Sequence, residues 1–381
     1  MQGVEEFRSE VRDWLAENLV GEFAALKGLG GPGREHEAFE ERRAWNQHLA
    51  HAGLTCLGWP VEHGGRGLSV AHRVAFYEEY AIANAPAKVN HFGEELLGPT
   101  LIAFGTPEQQ QRFLPRILDV TELWSQGYSE PGAGSDLANV STTAVLDDDE
   151  WVINGQKVWT SLAHWAQWCF VLVRSEKGSK RHAGLSYLLV PLDQPGVEVR
   201  PIVQLTGDSE FNEVFFDDAR TDADLVVGQP GDGWRVAMGT LTFERGVSTL
   251  GQQIVYAREL SAVVELAKST GAADDPLIRE RLTRSWAGLR AMRSYALATM
   301  DVEQPGQDNV SKLLWANWHR DLGEIAMEVQ GKAGLVLTGG EFDEWQRLYL
   351  FTRADTIYGG SNEIQRNIIA ERVLGLPREA R

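Results

Sequence analysis

The chain is short of cysteine, of long apolar runs and of positive charge. Its two cysteines, Cys56 and Cys169, lie far apart and in no CxxC or histidine-rich spacing, which speaks against a disulfide framework or a structural zinc and fits a reducing cytoplasm. No apolar run approaches the roughly 20 residues needed to span a bilayer. Glu5 and Glu6 stand where a secretion signal would carry basic and then apolar residues, so the expectation is a soluble, cytoplasmic protein. Against 54 Asp and Glu there are 36 Lys and Arg, a formal net charge of -18. That balance argues against nucleic acid and against an anionic membrane as partners, since both are bound through clustered cations. An anionic ligand would have to be held locally, by helix N-termini, glycine-rich backbone or single arginines.

What is present is ample apolar material: 43% of 381 residues are hydrophobic, enough for one large core or two to three smaller ones. The pattern changes twice. From Val4 to about Pro115 apolar residues recur at helical spacing, as in Phe7, Val11 and Leu15 and again in Val74, Tyr77 and Ala81. From about Leu123 to Val227 short alternating runs stand between turn residues: TTAVLDDDEWVINGQKVW, CFVLVRS, LSYLLVPL, EVRPIVQL and EVFFDDA. These read as strands, with Asn154-Gly155 as a type I′ hairpin turn between WVI and QKVW. After GQPGDGW (228–234) helical spacing returns, with Phe243, Val247, Leu250, Ile254 and Ala257 on one stripe of a long helix, and GAADDP (271–276) starts another. The predicted fold is mainly α with a β insert: a helical domain over 1–120, a middle β domain over 121–230 and a helical domain over 231–381.

Two glycine-rich stretches raise the chemical question. In GYSEPGAGSDLA (127–138), Pro131, Gly132 and Gly134 force an irregular turn whose backbone N–H groups could cradle a phosphate or the edge of a heterocycle. Ser129 and Ser135 offer hydroxyls on either side; the plain alternative is a solvent turn. In TIYGGSNEIQRN (356–367), Gly359 and Gly360 mark a backbone that either turns sharply or is closely approached. Ser361 or Asn362 would cap the helix that follows, with Gln365 reaching back as in a capping box.

EPGAGSD, followed by NGQKVWTS (154–161) and far downstream by IYGGSNEIQRNIIAERVLG (357–375), resembles the acyl-CoA dehydrogenase family, with all three signatures in the family's order. The resemblance implies a helical N-terminal domain, a middle β-barrel-like domain and a C-terminal four-helix bundle. It also implies FAD, an acyl-CoA substrate, an electron-transfer flavoprotein as acceptor and a homo- or hetero-tetramer, with no metal. Carried over residue by residue, Tyr128 and Ser129 would lie along the flavin pyrimidine edge and Ser135 near the pyrophosphate or the CoA. Trp159 would pack on the isoalloxazine, Ser161 would offer its hydroxyl near N5, and Ser361 and Glu363 would contact the FAD. The clamp that relatives take from a neighbouring subunit is altered here. STGAADDPLIRERL (269–282) leaves Arg281, with Arg279 behind it, and QGKAGLV (330–336) keeps Gln330 and Gly334 but has lost one glycine.

In many relatives the residue after Ile-Tyr is the catalytic glutamate; here it is Gly359, whose N–H would still donate to the thioester carbonyl beside Tyr358. Some relatives carry the base on the helix corresponding to TLTFERGVSTLG (240–251), which makes Glu244 the expected base and the adjoining Arg245 a substrate contact. Thr240, Ser248 and Gly251 share a helical face with Glu244, predicting a space lined by small side chains. Gly246 in a helix interior suggests a close approach, and Glu363 is the competing carboxylate. The implied reaction is α,β-dehydrogenation of an acyl-CoA to the 2,3-enoyl-CoA, with branched, long or steroid-like chains favoured. Two rivals stay open: a non-catalytic or half-site subunit of a heteromeric acyl-CoA dehydrogenase, and an oxygen-using flavoenzyme of the same fold.

Overall fold

The computed structural model describes residues 2–243, 248–299 and 305–377, without the side chains of 248–250. Helices α1 (Val4–Asn18), α2 (Phe39–His51), α3 (Val70–Ile82), α4 (Gly98–Phe104) and α5 (Pro107–Leu118) come first. Strands β1 (Trp124–Gly127), β2 (Thr143–Asp147), β3 (Glu150–Ser161), β4 (Trp168–Arg174), β5 (Leu185–Pro191), β6 (Val197–Ile202) and β7 (Phe211–Asp222) follow. Helices α6 (Gly233–Phe243), α7 (Ser248–Thr270), α8 (Pro276–Thr299), α9 (Gln307–Gln330), α10 (Glu344–Asp355) and α11 (Asn362–Ile368) complete the order. Helical regions thus flank a central sheet, as the periodicity predicts. The chain forms two compact units, Ala16–Ser69 with Asn84–Gly246, and Met1–Leu15 with Val70–Ala83 and Val247–Arg381.

The first unit is built around the sheet, ordered β1-β4-β2-β3-β7-β6 with β5 paired to β4. Strands β4 and β5, apolar except at Arg174 and Ser186, are buried along nearly their whole length, because each feeds two cores. With a period of two, Trp168, Phe170 and Leu172 join Phe113, Ile117, Val236 and Ala237 on one side. Cys169, Val171 and Val173 join Trp151, Ile153, Val214 and Phe216 on the other. Both cysteines are free and buried.

One expectation fails in this sheet. Asn154-Gly155 is not a hairpin turn: β3 runs straight through it, and β2 and β3 are joined instead at Asp148 and Asp149, closed by the Asp147–Glu150 pair. Asp148 takes the left-handed conformation there (φ 52°), which aspartate tolerates better than most side chains. At Asn154 the side chain reaches sideways to β7, donating to Asp218 Oδ1 (2.9 Å) and accepting from the Asp218 N–H (2.9 Å). A register shift between Ile153 and Gly155 accompanies it. A Cβ on Gly155 would lie 2.7 Å from the Thr142 Cα, so the glycine admits a neighbouring strand rather than a turn.

In the second unit, Tyr256, Leu260, Val263 and Ala267 form the stripe of α7 that meets Leu282 and Met292 of α8 and Trp318, Leu322, Ile325 and Val329 of α9. Of the predicted stripes, Phe7, Val11 and Leu15 are buried in α1. In α3 Val74 is buried but Tyr77 and Ala81 are only partly so. The buried positions there include Glu78 and Glu79, taken up by Arg8 (2.7 and 3.1 Å) and, for Glu79, Arg12 (2.9 Å). The long helix expected through 243–257 is described as α6 and α7, its Val247 lying outside the described residues. No helix among the described residues is long and apolar enough to cross a membrane.

Candidate active site

The residues singled out by sequence fall into two groups, one in each compact unit. In the sheet unit, the EPGAGSD loop leaves β1 and is closed at once: the Glu130 and Ala133 backbones exchange N–H···O bonds of 3.0 Å. Tyr128 is buried edge-on against Phe170 and Tyr187, at ring centroids 6.0 and 6.1 Å. The loop is tied to β3 twice. The Val158 N–H donates to the Ser129 carbonyl (2.9 Å), and the ammonium of Lys157 donates to the Tyr128 carbonyl (3.1 Å), the Glu130 carboxylate (2.8 Å) and the Leu172 carbonyl (2.7 Å). Glu130 also accepts from the Ser141 N–H (2.6 Å), the Ser141 hydroxyl (2.7 Å) and the Thr142 N–H (2.9 Å).

The Glu130–Lys157 pair is fully enclosed, with Lys157 0% exposed. Burial alone would raise the Glu130 carboxyl, yet the Lys157 ammonium and the Ser141 and Thr142 donors hold it down at about 2. Sequence reading missed this pair. Its signal was a lysine at an inward position of a strand, which demands a counter-charge.

Beyond Lys157, β3 carries a bulge, its register against β7 shifting between Lys157 and Thr160. Trp159 sits in it with φ 59°, a left-handed conformation that is costly for an aromatic residue. The result is an indole 57% exposed, met by Phe211 edge-on. Ser161 and Ser129 are half-buried, Ser135 is exposed, and the Thr160 hydroxyl is buried with no partner. Among the described residues, no atom beyond the glycine and its two chain neighbours lies within 4 Å of where a Cβ on Gly132 or Gly134 would stand. An outward-turned indole on the strand bonded to an open glycine turn suits a planar anionic cofactor: a flat apolar face for a ring, and backbone room for phosphate oxygens.

In the helical unit, the question of the paired glycines has an answer. Gly359 and Gly360 both lie in the left-handed region, φ 62° and 85°, so the backbone turns sharply between α10 and α11. Gln365 of α11 donates to both their carbonyls (2.9 and 3.0 Å) and is itself held by Asn309 of α9 (2.5 Å). Gln365 therefore does not complete the predicted capping box; its amide is taken by the turn. Ser361 is the cap, accepting from the Ile364 N–H (3.4 Å). Glu363 is exposed in the first turn of α11, its carboxyl lowered by its own N–H, the Ser361 hydroxyl and Arg366.

On the other side of the turn, the Tyr358 hydroxyl donates to Asp355 Oδ1 (2.6 Å). Asp355 Oδ2 meets His319 Nδ1 (2.8 Å), and His319 Nε2 meets Glu259 (3.0 Å). Burial opposes protonation of this imidazole, but the hydrogen bonds and charges of Asp355 and Glu259 raise it to about 9. The local sign of this relay in the sequence is a histidine inside an apolar helical stripe.

Arg281 is ion-paired to Glu328 of α9, and Arg279 is exposed. Gln330 donates to Asp343 (2.6 Å), and a Cβ on Gly334 would lie 2.6 Å from the Gln330 Oε1. Glu244, Arg245 and Gly246 lie outside the described residues. The small-residue face expected around Glu244 is used differently where it is described. The Thr240 hydroxyl is buried against Thr100 (2.9 Å), and Gly251 lets α7 approach α3, a Cβ there meeting Tyr77 at 3.0 Å.

Family models for the acyl-CoA dehydrogenase N-terminal, middle and C-terminal domains match residues 2–121, 125–219 and 231–374. "Acyl-CoA dehydrogenase IpdE1" of Mycolicibacterium smegmatis is 86% identical over 99% of this chain and 99% of its own. Among solved structures, "Tcur3481-Tcur3483 steroid ACAD" superposes with a TM-score of 0.84 at 29% identity, covering 99% of this chain and 98% of that one. The "ChsE4-ChsE5 complex from Mycobacterium tuberculosis" does so with a TM-score of 0.82 at 30% identity, with coverage of 99% and 98%.

Proposed function

The chain belongs to the acyl-CoA dehydrogenase family, and from that premise we propose that it oxidises the Cα–Cβ bond of a bulky, steroid-like acyl-CoA to the 2,3-enoyl-CoA and passes the electrons to an electron-transfer flavoprotein. It is an oxidoreductase, and its cofactor is FAD as in the family. The bulky substrate is supported by the steroid enzyme among its structural relatives and by the absence of a glutamate at Gly359.

FAD, when bound, supplies the two-electron acceptor for the hydride that leaves the β-carbon. Glu244 takes the proton from the α-carbon, and the electron pair left behind closes the double bond. The Gly359 N–H donates to the thioester carbonyl oxygen, where negative charge gathers as that proton departs, a contribution on the order of 3 kcal/mol. Arg245, Ser135 and Tyr358 contact the substrate. Tyr128, Ser129, Ser135, Trp159, Ser161, Ser361 and Glu363 would hold the FAD, and Arg281, Gln330 and Gly334 would form the part of its site shared between subunits. The observation that carries this reading is Trp159, an exposed indole on strained backbone, on the strand that holds the glycine loop.

A second reading, one chain of a two-chain enzyme, is favoured by Gly359 and by the paired names of both structural relatives. One experiment separates the two: anaerobic titration of the purified protein with aliphatic and fused-ring acyl-CoAs, wild type beside Glu244→Gln. Bleaching of the oxidised flavin band by the fused-ring ester in wild type, slowed roughly 1,000-fold in the variant, is the expected result. A chain that purifies without flavin establishes the two-chain reading, and equal bleaching in both proteins moves the base to Glu363.

A further inference from the structure

We propose that His319 is a positioning residue for the Tyr358–Gly359–Gly360 turn, acting through Asp355 on the Tyr358 hydroxyl. The consequence for turnover rests on the reading above, in which the Gly359 N–H serves the thioester; the positioning itself does not.

A turn with no side chain at its centre cannot aim its own N–H. Its direction is set by what holds its two flanks. After the turn, Gln365 fixes the carbonyls of Gly359 and Gly360. Before it, Tyr358 is 38% exposed, and its hydroxyl is fixed by Asp355 at 2.6 Å. Asp355 is 1% exposed, and a carboxylate so buried needs a cation or it leaves an uncompensated charge.

His319 supplies that cation from α9, with its second nitrogen on Glu259 of α7. The two oxygens of Asp355 are therefore divided, one for the imidazole and one for the tyrosine, and the orientation of one bond dictates the other. The other charged or titratable groups nearby are Tyr256 of α7, its ring 4.4 Å from the imidazole, and Lys312 of α9. The Lys312 ammonium donates to the Asp355 backbone carbonyl (2.8 Å) and lies over the Tyr358 ring at 4.3 Å, so it steadies the turn without replacing His319 on the carboxylate.

The test uses the full-length, flavin-loaded protein with Tyr358→Phe, His319→Leu, His319→Asn and the Phe/Leu double variant. Amide hydrogen exchange over 357–361 is read beside KM and kcat. Tyr358→Phe leaves the core imidazole in place, so it tests the link even where His319→Leu disturbs folding. Expected are exchange over 357–361 faster by about tenfold in Tyr358→Phe and in His319→Leu, no further gain in the double variant, and only partial recovery in His319→Asn, whose amide can donate to Asp355 but brings no positive charge. Unchanged exchange in Tyr358→Phe, or single effects that multiply, overturns the proposal. Faster exchange with unaltered KM and kcat upholds the positioning role and instead overturns the thioester role of Gly359.

Discussion

Two glycine-bearing segments, one in each compact unit, are held by different chemistry. The loop at 128–135 hangs on an enclosed ion pair, Glu130–Lys157, in which the ammonium and the carboxylate each have three or more partners. The turn at 358–361 hangs on amide hydrogen bonds and on a relay that runs through an imidazole to Glu259. A fully partnered buried charge pair is costly to break. A relay that runs through a half-exposed tyrosine to a titrating histidine is perturbed more readily. The segment held by the ion pair carries Tyr128 and Ser129, proposed to meet the flavin, and the one held by the relay carries Gly359, proposed to meet the thioester.

The sharpest way to break this contrast is Lys157→Met. It leaves Glu130 buried and unpaired, and we expect a loss of about 3–5 kcal/mol in urea unfolding. Adding Glu130→Gln should return a substantial part of it, since the neutral side chain no longer needs a cation. A loss below about 1 kcal/mol would mean that the pair is a bystander and the loop is held by the Ser129–Val158 bond alone.

The pH dependence of the two segments should run in opposite directions. His319 is raised in the folded state from an ordinary 6.5 to about 9, so its contribution is complete below 6.5 and is lost as pH rises through about 9. By linkage this amounts to ~3 kcal/mol. Glu130 is lowered from 4.5 to about 2, so its contribution is complete above 4.5 and is lost as pH falls through about 2. Hydrogen exchange corrected for intrinsic rates should therefore accelerate over 357–361 as pH rises from 7 through about 9, and over 128–135 as pH falls from 4.5 toward about 2. Parallel acceleration of both segments would dissolve the distinction.

Much of this was legible in the chain. The helix–strand–helix order followed from a switch between two periodicities, and β4 and β5 were read as strands, though among the alternating runs rather than as strands buried on both faces. Asn154-Gly155 misled because hairpin preference is local, whereas the Asn154–Asp218 bridge spans 64 residues. Gln365 misled in the same way: its spacing suits a cap, but the two carbonyls of the glycine turn claim its amide. The motifs marked both glycine-bearing segments, yet not what secures them. Lys157 and Glu130 stand 27 residues apart, and His319 and Asp355 36 apart; pairings of that range are written in the fold, not in any window of sequence.

The smallest effects give the finest comparison. Gly360 has φ 85°, and a Cβ there would stand 2.6 Å from the Gln365 Nε2. Gly360→Ala therefore meets both a left-handed backbone and its own clamp, and should cost about 1–2 kcal/mol. Among the described residues, Gly132 has no atom beyond its own and its two chain neighbours' within 4 Å of that position, and it lies outside the left-handed region. Gly132→Ala should leave stability unchanged or raise it by about 0.5 kcal/mol, because alanine restricts the unfolded chain more than glycine does. Thermal unfolding of the flavin-free proteins reads this difference directly, and a change of sign between the two is the informative result. Glycine at 360 is then required by the turn itself, whereas glycine at 132 leaves room that only a ligand would use. If Gly132→Ala destabilises the flavin-free chain as well, that room serves the loop's own folding, and the cradle loses its strongest steric argument.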